Sequence, residues 1–157
     1  EGAEEEDVLF FACYVQEYGA DAGPWSAGRV SISYIDSVRH FESTPSGHRS
    51  TVYHALVNAY LADAASRGFA HAHIWVSPPK PGDDFIFHCH PEEMYKRMGL
   101  LKLKAWYESM LSKAKHQGIV TGWTDMFEHY RDAVRPADLP LFAGDYWVDA
   151  LARHAEH

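Results

Sequence analysis

Two pairs of alternating histidines, His71/His73 and His88/His90, stand on either side of a loop rich in Pro, Gly and Asp, Pro78 to Asp84 (PPKPGDD). Alternate residues of an extended strand point to one face, so each pair could present two imidazoles side by side. That is raw material for zinc, whose catalytic centres use three protein ligands and keep one position open. A third ligand at fixed spacing is missing, because the chain has no HExxH and no CxxC, and Asp83 and Asp84 fall on the loop. Histidines on half-buried strands are commonly satisfied by backbone carbonyls or water, so His71, His88 and His90 are read as structural and no metal is expected. A metal-dependent hydrolase built on the two pairs stands as an alternative.

The elements that must carry these residues follow from pattern. DVLFFACYVQEY (Asp7 to Tyr18) and RVSISYID (Arg29 to Asp36) read as strands, the second with Val30, Ile32 and Tyr34 alternating against Ser31, Ser33 and Ile35. From Arg49 to Gly68 a helix of about five turns is expected, with Val52, Leu56, Ala59 and Ala64 near helical spacing and Gly68 as its stop. FAHAHIWVS and FIFHCHP read as strands flanking the loop. A second long helix places Leu100, Leu103, Trp106, Tyr107, Met110 and Ala114 on one face, with Lys113 and Lys115 in its last turn and Gly118 after it. IVTGW reads as a short strand, TDMFEHYRDA as a short helix that Thr124 could cap, and the closing DYWVDALARHAEH as helical. The order implies an α/β or mixed α+β domain: a single central β-sheet flanked by helices.

The 157 residues suffice for one domain with a core, and 46% hydrophobic with 14% aromatic residues is a globular composition. The acidic leader at residues 1–6 is expected to stay unpacked. No apolar run suits a signal peptide or a membrane span, so no membrane partner is expected. Two cysteines, Cys13 and Cys89, fit a reducing, intracellular compartment. A net charge of −8 disfavours direct nucleic-acid binding and leans toward a basic partner such as a Lys-rich peptide.

Seven stretches come in one order and at near-equal spacing: VQEYG (Val15 to Gly19), ISYIDSV (Ile32 to Val38), RSTVYH (Arg49 to His54), HIWVSPP (His73 to Pro79), GDDFIFHCHP (Gly82 to Pro91), WYESML (Trp106 to Leu111) and LPLFAGDYW (Leu139 to Trp147). In this the chain resembles the catalytic domain of the CREB-binding-protein family of histone lysine acetyltransferases, from Asp7 to about Leu151. The resemblance implies that residues 7–157 are the central, cofactor-binding part of such a domain. It also implies acetyl-CoA as co-substrate, histone tails or other Lys-rich proteins as substrates, transcription factors as partners, and a nuclear location.

What the resemblance implies for single residues is specific. Asp36, Ser37, Arg49, Ser50, Tyr53, Ser77, Lys102 and Trp106 match positions that contact the coenzyme. Arg49, at a helix start, suits a phosphate through its guanidinium fork and the positive helix end. Tyr34, Trp75, Phe85 and Tyr107 match the aromatic tunnel for the substrate lysine, where desolvation favours the neutral amine. Tyr107 is implied as the general acid for the departing thiolate, with Trp75 orienting the amine. Read without the resemblance, Arg49 is an exposed arginine, Asp36 and Ser37 a helix cap, and Tyr53 a core residue. The histidines become incidental. The chain departs from the family at Phe85, where tyrosine is usual, at Ser77, where cysteine is usual, and at Ala143, which replaces a glutamate of an acidic substrate groove. These departures keep open a second class, an acetyl-CoA-binding module without transfer activity.

Overall fold

The structure, a computed structural model, describes residues 7–38, 48–95, 99–133, 135 and 138–145. The acidic leader and all but the first residue of the expected closing helix lie outside them. Three strands form one mixed sheet in the order β1 (Phe11–Tyr18), β2 (Arg29–Ser37), β3 (His71–Ile74), with β2 antiparallel to β1 and parallel to β3. The antiparallel pair needs only a short connection, whereas the parallel pair needs a crossover. That crossover contains helix α1 (His48–Ser66). After β3 come the single-turn helix α2 (Glu92–Tyr95), the long α3 (Leu100–His116) and the short α4 (Met126–His129).

The sheet's buried face meets α1 and α3 in one core: Ile32 from β2, Val57 and Leu61 from α1, Tyr107 and Met110 from α3. Phe11, Cys13, Val15 and Ile35 close the core on the strand side, and Ile119 and Val120 pack at its end. Both long helices stop on glycine with the same geometry. Gly68 (φ +96°) and Gly118 (φ +73°) take the left-handed conformation. Phe69 N–H then reaches back to the Ala64 carbonyl at 3.1 Å and Ile119 N–H to Ala114 at 2.9 Å, the Schellman closure that only glycine makes without Cβ strain.

Several elements differ from the sequence reading. The α1 face that packs inward is Tyr53, His54, Val57, Asn58, Leu61 and Ala64, while Leu56 is 40% exposed and Ala59 is also exposed. The helix buries two polar side chains that a purely apolar stripe passes over. FIFHCHP and IVTGW are irregular rather than strands. β3 stops at Ile74, four residues long, so the His71/His73 pair keeps its strand while His88/His90 does not. The α4 cap is Asp125, whose carboxylate accepts the Glu128 N–H at 2.8 Å, rather than Thr124.

In β2 the pairing shifts between Tyr14 and Val15 of β1: Tyr14 faces Tyr34 but Val15 faces Ile32, which leaves Ser33 as the extra residue of a bulge. The strand therefore does not alternate as Val30, Ile32, Tyr34. Val30 and Ile32 are buried, Ile35 joins the core, and Tyr34 turns outward at 41% exposure.

Met110 is fully buried at the centre of this core, so Met110→Ala should cost about 2–5 kcal/mol. Leu101→Ala, at 84% exposure on the same helix, should change stability by less than about 0.5 kcal/mol. Urea denaturation of the two variants measures the contrast.

Candidate functional site

Asp36 and Ser37 form the carboxyl end of β2, and Tyr53 of α1 bonds to the chain just beyond it. Asp36 points to the outer face and accepts three N–H groups. Oδ1 takes Ser37 N–H at 2.9 Å and His90 Nε2 at 2.6 Å, and Oδ2 takes Phe87 N–H at 2.9 Å. A carboxylate only accepts, so Nε2 of His90 carries the proton. His90 is therefore not incidental: its side chain is 6% exposed and holds the 85–90 segment against the strand end.

Just past the strand, the Tyr53 hydroxyl donates to the Val38 carbonyl at 3.1 Å, and its ring stacks on Phe10 and Phe11 at 6.3 and 5.2 Å. Tyr53 is buried and fixes the first turns of α1 to the end of β2. Arg49 and Ser50 sit in that first turn, where helix N–H groups have no intrahelical partner and the helix end is positive. Arg49 is half-buried, and its side chain makes no hydrogen bond or ion pair with another described residue. Ser50 Oγ accepts the Trp106 indole N–H at 3.2 Å, which joins α1 to α3.

On α3, Trp106 and Tyr107 meet edge to face at 5.0 Å. Tyr107 is 8% exposed, and burial pushes its phenol up to about 12. The hydroxyl thus keeps its proton through neutral pH. Lys102 is exposed in the first turn.

Beside this pair runs a polar seam that the sequence reading missed. His54, 4% exposed, lies edge-on to Trp106 at 4.4 Å, and its Nδ1 accepts from the Lys113 ammonium at 3.0 Å. Burial, then the Lys113 charge, lowers its pKa to about 4, against a weaker opposing pull from the Trp106 backbone. The ring is therefore neutral, with its proton on Nε2, which is buried and meets no acceptor at good hydrogen-bond geometry among the described residues.

The four rings of the expected lysine tunnel stand in separate groups. Phe85 stacks on Tyr34 at 4.4 Å, and Tyr14, opposite Tyr34 across the strands, adds an edge contact at 6.3 Å. All three are exposed on the outer face, and Tyr14 was not singled out by pattern. Trp75, 61% exposed, continues the line of β3 with its N–H bonded to the Ile32 carbonyl at 3.1 Å. Among the described residues no ring contact joins Tyr107 to Tyr34, Trp75 or Phe85, and Ser77 is exposed beyond them. Ala143 is exposed, its N–H bonded to the Tyr18 hydroxyl at 2.7 Å and its carbonyl to Gln16 Nε2 at 2.9 Å.

Other features do not converge on chemistry. His73 contacts Arg29 at 3.1 Å and the Phe142 ring at 4.6 Å, and burial followed by the Arg29 charge lowers it to about 4. Among the described residues, no three His, Cys, Asp or Glu come together as a metal set. A surface depression on α3, lined by Ser109, Ser112, Lys113, His116 and Gln117, contains none of the candidate residues. None of the described helices is long and apolar enough to cross a membrane.

A mixed three-stranded sheet with a long crossover helix tied to the end of its central strand defines the class as a mixed α+β domain. Comparison with known proteins gives the family: the model of the histone acetyltransferase domain KAT3 matches residues 1–156, and the chain belongs to that family. It is 42% identical over 147 residues to Protein cbp-1 of Caenorhabditis elegans, an alignment covering 92% of this chain and 7% of that protein. Histone acetyltransferase HAC4 of Arabidopsis thaliana is 41% identical over 159 residues, covering 94% of this chain and 11% of the relative. For HAC1 of the same plant the identity is 38% over 156 residues, at 92% and 9%. The chain thus spans about a tenth or less of the length of these relatives.

The seam has a pH consequence. A free histidine titrates near 6.5 and folded His54 near 4, so between those values the unfolded chain binds more protons. The stability His54 contributes is complete above about pH 6.5 and is lost as pH falls toward about 4, and His73 acts in the same sense. In His54→Gln, thermal melts across that window should show a flatter decline than in the unaltered chain. An identical pH slope would contradict the buried neutral imidazole.

Proposed function

We propose that the chain is the cofactor-binding part of a protein lysine acetyltransferase, acting on histone tails or other Lys-rich segments, in the nucleus and with transcription-factor partners as in the family. The observation that carries the reading is the junction at the first turn of α1. Arg49 makes no ion pair with a described residue, Ser50 is tied to Trp106, and Tyr107 follows Trp106 on α3. A phosphate carrier at that helix end would lie beside a phenol that keeps its proton.

Acetyl-CoA as co-substrate would supply a thioester whose C–S bond breaks as the lysine nitrogen bonds the acetyl carbon. Arg49 and the α1 N-terminus hold phosphate, with Asp36, Ser37, Ser50, Tyr53, Ser77, Lys102 and Trp106 around the coenzyme by side chain, backbone or packing. Tyr53 contributes by fixing the strand end to the helix start, since its hydroxyl is engaged with Val38. Tyr107 gives its proton to the departing sulfur, and the amine's proton passes to solvent. By resemblance Trp75, Tyr34 and Phe85 would offer the lysine stem apolar faces, and they stand on the sheet's outer side apart from Tyr107. The net charge of −8 favours a basic substrate. Phe85 without a hydroxyl and the methyl of Ala143 support a second reading, a module that binds acetyl-CoA without transferring the acetyl group.

Calorimetry with acetyl-CoA, followed by thiol release on adding a Lys-rich histone peptide, tests the proposal. Arg49→Ala should lose most of the binding. Tyr107→Phe should bind normally but release thiol about a hundredfold or more slowly. Binding without release in the unaltered chain would favour the inactive module, and a folded chain that binds no acetyl-CoA would end both readings.

A further inference from the structure

The 77–91 segment has no strand of its own, yet it is tied to the sheet at defined points. A turn at its near end is closed by Asp83, whose N–H donates to the Lys80 carbonyl at 2.9 Å and whose carboxylate accepts Lys80 N–H at 2.7 Å, with Gly82 at φ +90°. Farther along, three contacts converge on β2. The Phe85 ring lies on Tyr34, Phe87 N–H reaches Asp36 Oδ2, and His90 Nε2 reaches Asp36 Oδ1. A carboxylate has about four acceptor positions, and three are filled. Two of those three donors come from the segment itself.

We propose that His90 is a positioning residue for the lysine side of the site, a proposal that rests on the acetyltransferase reading above. Its ring is only 6% exposed, so it acts through the segment it holds. Paired with Asp36 at 2.6 Å, it pins the far end of the segment, while the Phe87 amide on the other carboxylate oxygen pins the middle. Phe85, two residues before that amide, is thereby kept over Tyr34 as a wall. Asp36 is the anchor of this latch, its carboxylate engaged by Ser37, Phe87 and His90. The latch lies on the outer face of the sheet, while Ser50, Trp106 and Tyr107 lie between the helices. Releasing it therefore loosens the lysine wall and leaves the helix-side coenzyme groups in place.

The test uses the full chain with His90→Leu, which removes the donor, and His90→Gln, which keeps an N–H near the position of Nε2. In His90→Leu the KM for a Lys-rich peptide should rise about tenfold or more, the weight of one hydrogen bond to a charged group. Acetyl-CoA affinity should stay within about threefold, less than the loss of one such bond. His90→Gln should recover most of the peptide KM. Hydrogen exchange at the Phe87 amide supplies a readout independent of turnover: faster in His90→Leu, restored in His90→Gln. Unchanged Phe87 exchange in the leucine variant, or equal losses for peptide and coenzyme, would overturn the proposal. A folded, unaltered chain that transfers no acetyl group would instead overturn the acetyltransferase reading and the latch's purpose with it, while the exchange data still decide whether the latch exists.

Discussion

The arrangement depends on one extra residue in the central strand. Side chains alternate along a strand, so a single unpaired residue exchanges the two faces for everything beyond it. Before Ser33, β2 sends Val30 and Ile32 into the core; after it, Ile35 goes inward while Tyr34 and Asp36 turn out. Without the bulge a continuous alternation would carry Tyr34 and Asp36 into the face packed by α1 and α3, where a carboxylate has no partner among Val57, Leu61 and Met110. With it, one nine-residue strand serves both the core and the outer segment.

The two sides of the strand end are then joined by polar contacts rather than by more apolar packing. Tyr53 to Val38 ties α1 to the strand, and Ser50 to Trp106 ties α1 to α3. Asn58 Nδ2 donates to the Met110 carbonyl at 3.2 Å deeper in the same seam. Among the described residues the seam is only partly satisfied, with His54 Nε2 and Asn58 Oδ1 buried and without a well-placed partner one helical turn apart on α1. Each such atom costs about 1–3 kcal/mol, so this helix pair gives up stability beside the candidate site. The neutral state of His54 follows from that low-polarity setting and from Lys113, not from any contact with the strand end.

What could be read from the sequence has physical reasons, as does what could not. The helix stops at Gly68 and Gly118 were legible because a left-handed residue after a helix selects glycine. The inward face of α3 was largely legible through Tyr107, Met110 and Ala114, although Leu100 at its start is 54% exposed. The inward face of α1 was not, since His54 and Asn58 replace the apolar residues a periodic reading counts. The alternation of FIFHCHP imitates a strand, but its donors go to Asp36, and a pairing 54 residues apart leaves no periodic trace. The bulge at Ser33 was equally silent, because Val-Ser-Ile-Ser-Tyr-Ile alternates well whichever way its later residues face. Collinear motifs across the chain identified the family, and they did so without revealing that Asp36 and His90 are partners.

The central claim is that the carrier seats where the end of β2, the first turn of α1 and Trp106 meet. Titrating coenzyme A into isotope-labelled protein and following the amide and indole resonances tests it most directly. The account predicts the largest shifts at Ser37, Arg49, Ser50 and the Trp106 indole N–H. Shifts centred on His71 and His73, or on the α3 depression between Ser109 and Gln117, would contradict it.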